Sequence, residues 1–575
     1  MSSSPKPNLF ALLAPYRGLI AALVVLALAS NSLTLWLPRI IAHAIDGFLR
    51  SHVLPQVNFW QFAAASIFIF VLAYLQSIVQ TYASERVARD LRRDLSAKIS
   101  QQTYAFVQEV TPTKLLTNLT SDIDSVKNFV AQAIANVISS AFIIIGTSVL
   151  LLNINWRLGL SVLTIVPIIA VTFFFVLGKV RALFKKTREV IDWLNKVINE
   201  SILGAALIRV LNSQQAEYDK FLAANTDARD LGLQILRLFA SMIPVITFCA
   251  NMGVLIILVL GGHFVIAGNM SLGDFAAFNS YLATLIFPIM IIGFMSNIIA
   301  QAQASYGRIA EVLSAAPPEA VGTLTTPLQG NISLKDIELT YGEKPILKDV
   351  SLSFAAGTKS AIIGPTAAGK TQLLNLMIGL IEPTSGAVLY DGRDIRDYQP
   401  EALHQQIGLV FQDSIIFNIS LKENIAFTSA ITSAALDKAI ATAELQDFIA
   451  TLPQGLDTVV SERGTSLSGG QKQRIMLARA LALNPKILFL DDFTARVDTL
   501  TEKRILANIS KNYPDLTLLS VTQKIAAVEH YDQIIVLMEG EIVAQGVHDE
   551  LMHTSPEYVQ IYNSQQSTSR YELQS

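Results

Sequence analysis

Two runs of the chain carry the clearest chemical capacity: Gly364 Pro365 Thr366 Ala367 Ala368 Gly369 Lys370 Thr371, and Ile487 Leu488 Phe489 Leu490 Asp491. The first fits the phosphate-loop pattern, in which spaced glycines precede a lysine and a hydroxyl residue, and it follows an apolar strand and opens a helix. Its backbone amides face anionic phosphates, Lys370 adds a point charge, and the Thr371 hydroxyl can ligate Mg²⁺. Gln372 follows directly and joins the nucleotide-contacting set. Asp491 closes the second run, where a carboxylate can hold Mg²⁺, directly or through water, across from Lys370. Tyr341 can stack on adenine or serve packing alone. Gln412, after Leu409 Val410 Phe411, can reach the metal. The ligands expected are therefore ATP and Mg²⁺.

These residues need a scaffold. Ile332 to Leu339 and Val350 to Phe354 alternate like half-buried strands, while Ala361 to Ile363 and Ile487 to Leu490 are short apolar runs typical of central strands covered on both faces. An α/β domain is predicted over 331–563. It is preceded by a linker at 315–330, marked by paired prolines and small polar residues, and followed by a polar tail at 564–575.

The first half is of another kind. With 575 residues, 51% hydrophobic and 15% charged, and a mean hydropathy of +0.44, the chain carries more apolar surface than soluble cores need. Six runs approach the length that crosses a bilayer: Leu19 to Leu37, Phe59 to Gln80, Ala131 to Ile154, Leu158 to Gly178, Phe239 to Ala267 and Phe275 to Ile299. They predict a transmembrane domain over 1–314. Met1 to Pro7 is polar and the first run lacks a cleavage site, so that run is expected to remain a membrane helix. Asn8 to Ala14 reads as a short interfacial helix.

Lys and Arg gather between the second and third runs, from Arg86 to Lys127, and between the fourth and fifth, from Lys179 to Arg237. The positive-inside rule then puts both termini and the α/β domain in the cytoplasm. Both basic loops keep apolar residues at helical spacing, as in Val87, Leu91, Leu95 and Ile99, and are expected to be helical extensions. A bacterial inner or plasma membrane is the expected location.

No charged side chain sits mid-span, which argues against a proton relay or an ion-coupled carrier. Asn31, Gln76, Asn251, Asn279 and Asn297 either bond between helices or line a path for amphipathic solutes. Phe287, Met290, Phe294 and Asn297 can share one face of the last span, as a pathway or as packing. The net charge of −3 speaks against a nucleic-acid partner. The lone Cys249 excludes disulfides within the chain and is expected to be buried. His548 and His553 are expected at the surface, not on a metal.

With Leu467 Ser468 Gly469 Gly470 Gln471 added, the chain resembles ATP-binding cassette exporters, in the half-transporter arrangement of six spans and one nucleotide-binding domain. The resemblance implies a multi-domain membrane protein, a six-helix all-α transmembrane domain followed by an α/β P-loop domain. It makes Leu467 to Gln471 the signature, Gln412 the membrane-facing sensor and Asp498 the loop residue after the magnesium carboxylate. Glu462 Arg463 Gly464 match the segment before the signature. Thr113 to Asp124 and Glu200 to Arg209 resemble coupling segments. It also implies that two domains meet head to tail, with Ser468, Gly469, Gly470 and Gln471 acting on ATP bound by the partner.

Against that pattern three departures stand out. Ala367 and Ala368 replace the more usual glycine and serine, and alanine is expected to fit only where φ is negative. Asp492 stands where the family has a water-orienting glutamate, shorter by one methylene. Gln523 stands at the switch histidine; its amide can donate a hydrogen bond but carries no charge. The reading is a heterodimer subunit exporting amphipathic or lipid-like compounds, with a degenerate site of its own and a partner half-transporter that keeps glutamate and histidine. An ATP-gated regulatory or scaffold subunit, and a slow homodimer in which Asp492 still works, are the alternatives.

Overall fold

The computed structural model describes residue 9 and residues 11–52, 56–316, 322–342, 344–428, 431–461 and 464–572. The chain divides into two compact units, Met1–Gln101 with Val110–Ala316, and Gln102–Glu109 with Pro317–Ser575. The division falls near the start of the expected linker. Within that linker Leu324 pairs with Tyr398 and Leu328 is buried, so residues 322–330 belong to the second unit, while 317–321 lie outside the described residues.

Six described runs in the first unit are long and apolar enough to cross a membrane: Ala11–Ser51, Gln56–Ser100, Pro112–Ile154, Trp156–Leu203, Gln214–Ile266 and Leu272–Leu313. Each expected span falls on one of them, and the basic loops are largely helical continuations. The turns are capped by short polar groups. Asn155 Oδ1 accepts the N–H groups of Arg157 and Leu158 at 3.1 Å each to start the fourth run. Ser271 Oγ accepts Asp274 N–H at 2.9 Å to start the sixth, satisfying donors that an uncapped helix leaves open. Of the expected interfacial helix, Ala11 to Ala14 fall in a 3₁₀ helix over Ala11–Tyr16, while Asn8 and Phe10 lie outside the described residues.

The first expected coupling segment lies inside a long helix. Thr113 to Asp124 is continuous helix at the start of the third run, and the chain breaks earlier, around a short helix Tyr104–Val110. Pro112 explains this: proline suits the first turn of a helix, and Thr111 before it takes φ 72, so the helix starts there. The second segment, Glu200 to Arg209, does contain a break, at Gly204 before the short helix Ala205–Val210.

Packing between the runs uses small residues and few polar bonds. A Cβ on Gly273 would lie 2.1 Å from the Ala42 carbonyl oxygen, and Gly273 N–H donates to Asp46 Oδ1 at 2.8 Å, tying the sixth run to the first. Tyr281 is wholly buried and donates to the Leu35 carbonyl at 2.9 Å. Gln80 donates to the Ala131 carbonyl, and Arg308 pairs through two nitrogens with the buried Asp122. The neutral residues singled out from sequence behave differently. Asn279 bonds within its own helix, to Phe275 O at 3.3 Å, and Asn31 Nδ2 is buried without a partner among the described residues. Cys249 is buried in the apolar cluster of this unit.

The second unit holds two sheets. β1 (Ile332–Tyr341), β2 (Lys344–Phe354), β4 (Ser385–Tyr390) and β5 (Arg393–Asp394) form an antiparallel sheet in the order β2-β1-β4-β5. β3 (Lys359–Ile363), β6 (Ile407–Val410), β7 (Ile487–Asp491), β8 (Thr517–Thr522), β9 (Gln533–Met538) and β10 (Glu541–Gly546) form the other, in the order β10-β9-β3-β8-β7-β6. Its strands are parallel except for β10 against β9. Every residue of β7 and β8 is buried, as expected for central strands with both faces covered. Helices α1 (Lys370–Met377), α2 (Gly469–Ala482), α3 (Thr499–Asn512) and α4 (Pro556–Glu572) matter for the site. The tail expected from 564 continues α4.

The Gly273 contact is with backbone, which cannot rotate away. Gly273→Val is expected to abolish recovery of monodisperse full-length protein in detergent. Gly262→Ala, where an added Cβ meets nothing within 4 Å, should be recovered like the parent on size-exclusion chromatography.

Candidate nucleotide site

Three neighbouring parallel strands end at one place. β3 runs into the phosphate loop, β8 ends one residue before Gln523, and β7 ends at Asp491, with Ile363 level with Thr522 and Val521 level with Asp491. Ligands of open α/β sheets bind beyond these carboxyl ends. A cavity of about 690 Å³ lies there, lined by Thr366 to Gln372, Gln412, Asp491, Asp492 and Gln523. Lys344, Pro345, Ile346, Lys348, Val521, Thr522 and Glu539 complete it. Sequence reasoning missed these residues: Val521 and Thr522 enter at the end of β8, and the other five are brought in only by the β1–β2 hairpin and the β9–β10 turn, for which the Tyr341 Gly342 turn was the available signal.

The loop is shaped by close backbone approach. A Cβ on Gly364 would lie 2.0 Å from Leu537 O, so no larger residue fits. Gly540 N–H donates to Ala368 O at 3.2 Å, and Lys348 N–H donates to Gly540 O at 2.9 Å, which joins loop, turn and β2. The expectation for the alanines fails at one of them. Ala367 takes φ 67, a left-handed conformation that costs an L-residue roughly 1–2 kcal/mol, while the loop's other contacts hold it in place.

Lys370 is buried, and its ammonium donates to Gly364 O at 2.8 Å and Pro365 O at 2.7 Å. Burial pulls its pKa down, while Asp492 and Asp491 push it up. Burial, then the charge of Asp492, lifts the Asp491 carboxyl to about 6. Burial also raises Asp492, against the pull of Lys524 and Lys370. Two carboxylates that burial and mutual repulsion destabilise are relieved by a divalent cation, so Asp491 with the Thr371 and Gln412 side chains in the same cavity fits Mg²⁺.

The remaining predicted residues divide. The Gln523 amide nitrogen lies 3.5 Å from Thr366 Oγ1, inside the site. Tyr341 is half exposed and lies outside the lining, linked to it by a 3.1 Å bond from its hydroxyl to Gln372 Oε1. Asp492 takes φ 46, a left-handed conformation in which aspartate is enriched.

Ser468 caps α2 in a reciprocal box, its Oγ accepting Gln471 N–H at 3.2 Å and Gln471 Oε1 accepting Ser468 N–H at 2.8 Å. Gly469 and Gly470 begin that helix, and a Cβ on Gly470 would meet Arg496 O at 2.8 Å. Asp498 caps α3 by accepting Thr501 N–H at 2.9 Å, and this hydrogen bonding holds its carboxyl below the usual range. Among the described residues, neither Ser468 to Gln471 nor Asp498 lines the cavity. Gln473 on α2 does reach toward it, donating to Gln412 O at 3.1 Å. Glu462 and Arg463 lie outside the described residues; Gly464 is left-handed, at φ 61.

A phosphate loop on a buried parallel sheet, in a chain with six membrane-length helices, defines a nucleotide-binding membrane protein. The chain belongs to the ABC transporter family: residues 20–289 match the ABC transporter transmembrane region and 347–495 the ABC transporter domain. It is 33% identical over 561 residues to an uncharacterized ABC transporter ATP-binding protein, YfiB, of Bacillus subtilis (strain 168), covering 96% of this chain and 97% of the relative. An ATP-dependent lipid A-core flippase of Syntrophus aciditrophicus (strain SB) is 28% identical, covering 97% and 94%. A putative multidrug export ATP-binding/permease protein of Staphylococcus aureus (strain NCTC 8325 / PS 47) is 29% identical, covering 96% and 98%. A solved bacterial Atm1-family ABC exporter with ATP bound shares the fold, with a TM-score of 0.75 at 24% identity, covering 96% of this chain and 98% of that one. The protein is a multi-pass membrane half-transporter of the exporter type with an ATP-binding domain, and such exporters work as dimers.

Two outcomes are expected. Only an ionised Asp491 binds a cation, so Mn²⁺ affinity, read by electron paramagnetic resonance, should be steady above pH 6 and fall about tenfold per pH unit below it. Ala367→Gly should relieve the left-handed strain and raise the domain's thermal midpoint by about 2 °C.

Proposed function

We propose that the chain is one subunit of a heterodimeric ATP-driven exporter of amphipathic or lipid-like compounds. It contributes an ATP site impaired in hydrolysis and an intact signature to a competent site shared with a different half-transporter. The observation that carries this reading is the pairing of Asp492 and Gln523 in the cavity of the phosphate loop while Ser468 to Gln471 stand outside it.

Chemistry at the site requires water in line with the γ-phosphate. Lys370 and the loop amides hold the phosphates, and Mg²⁺ bound near Asp491 and Thr371 would neutralise developing charge. The Asp492 carboxylate ends one methylene short of the usual reach, and a misplacement of ~1 Å costs on the order of 10²-fold in rate. The Gln523 amide donates to phosphate without adding charge. ATP would therefore stay bound long enough to steady the closed dimer. Ser468, at the start of α2, supplies a hydroxyl and helix amides to the partner's nucleotide. A bacterial inner membrane, with the ATP-binding domain cytoplasmic, completes the assignment.

The substrate class draws on two supports. The spans carry no mid-span charge, and Phe287, Phe294 and Asn297 are exposed along the sixth run. A lipid A-core flippase and a putative multidrug export protein are among the relatives. One observation favours the slow homodimer as a second reading: burial raises the Asp492 carboxyl, and a raised carboxylate is a better proton acceptor.

In the assembled exporter, Ser468→Arg is expected to lower ATP turnover on the order of 10²-fold, whereas Asp492→Ala should lower it no more than about twofold. Phosphate release by the complex in nanodiscs measures both. The reverse order of severity, or brisk turnover by the chain alone, would sink the heterodimer reading in favour of the homodimer.

A further inference from the structure

Helix α4 presents Tyr558, Ile561, Tyr562 and Gln565 at spacings of three and four, a single face. Tyr558 is wholly buried and shares a 2.7 Å hydrogen bond with His548 Nδ1. Ile561 and Tyr562 pack on the core that contains Ile525, Val528 and Tyr531. Ser555 Oγ accepts the Tyr558 N–H at 3.2 Å and caps the helix. The helix is thus anchored against the segment that follows β8.

One turn beyond Tyr562, the Gln565 side chain grips that segment with both halves of its amide. Its nitrogen donates to the Gln523 carbonyl at 2.5 Å, and its oxygen accepts the Ile525 N–H at 3.0 Å. These backbone groups flank Lys524, between β8 and a 3₁₀ turn at Ile525–Ala527. An amide that donates to one peptide and accepts from another two residues on fixes both peptide planes.

We propose that Gln565 is a positioning residue for the ATP site, holding the Gln523 backbone so that its side-chain amide meets the γ-phosphate. The proposal rests on the reading of Gln523 as the γ-phosphate contact. A glutamine has three rotatable side-chain bonds, and ordering them costs entropy. Its amide bonds phosphate productively only if the backbone it hangs from is held still. Gln565 supplies that restraint from the C-terminal helix, a part of the chain outside the motifs that build the cavity.

The test is Mg–ATP and Mg–ADP binding by the full chain in nanodiscs, read by calorimetry. Gln565→Met keeps length and apolar packing while removing both hydrogen bonds. It is expected to weaken ATP binding roughly fivefold and ADP binding less than about twofold, since ADP lacks the phosphate that Gln523 meets. Gln565→Glu, which retains the acceptor for Ile525 N–H but cannot donate to the Gln523 carbonyl when ionised, should show the same preference for damage to ATP. Gln523→Ala should lose the same selectivity, and combining it with Gln565→Met should add nothing further. Equal weakening of ATP and ADP, an unchanged ATP affinity in Gln565→Met, or an additive double variant would overturn the proposal. A Gln523→Ala that leaves the ATP-to-ADP preference intact would instead show that the reading of Gln523 is wrong.

Discussion

The ammonium of Lys370 is the point on which the nucleotide-binding unit depends. It is buried, held by the carbonyls of Gly364 and Pro365, and opposed by Asp491 and Asp492. A buried cation without such partners gives up its proton or destabilises the fold by several kcal/mol. The sheet order meets this demand. With β8 between β3 and β7, a loop leaving β3 and the carboxylates leaving β7 face one another across a strand's width, and the residue after β8 falls between them. The β9–β10 turn then closes on the phosphate loop through Gly540 and Ala368.

Much of this was legible because phosphate chemistry is written in contiguous residues. Gly364 to Thr371 and Ile487 to Asp491 each lie within a few neighbours, so spacing alone located the loop and the carboxylate. Lys344, Lys348 and Glu539 were not legible, since they reach the cavity only through the register of β1 with β2 and of β9 with β10. Ala367 defied its propensity. A contact network that pins both sides of a loop overrides a preference of about 1–2 kcal/mol, which local sequence cannot reveal. Pro112 was a visible signal of where the third run begins, directly before the expected coupling segment Thr113 to Asp124.

In the membrane unit, length and hydropathy located all six helices because backbone satisfaction in lipid leaves no alternative to a long helix. What composition could not assign was the partner of each polar group. Tyr281 and Gln80, unremarked in sequence, cross between helices, whereas Asn279 turns back on its own. Such choices depend on helix rotation, which apolar patterns of low contrast leave open.

The backbone at Asp492 has an evolutionary corollary. Codons for aspartate and glutamate differ only in their third base, so replication errors sample the longer acid at this position continually. The shorter one is therefore not there for want of mutational access. A positive φ is met more often by aspartate than by most residues, yet Glu444 and Glu539 adopt it in this same chain, so the backbone at Asp492 would accept either acid. One base change therefore separates the two acids at a position whose backbone is left-handed.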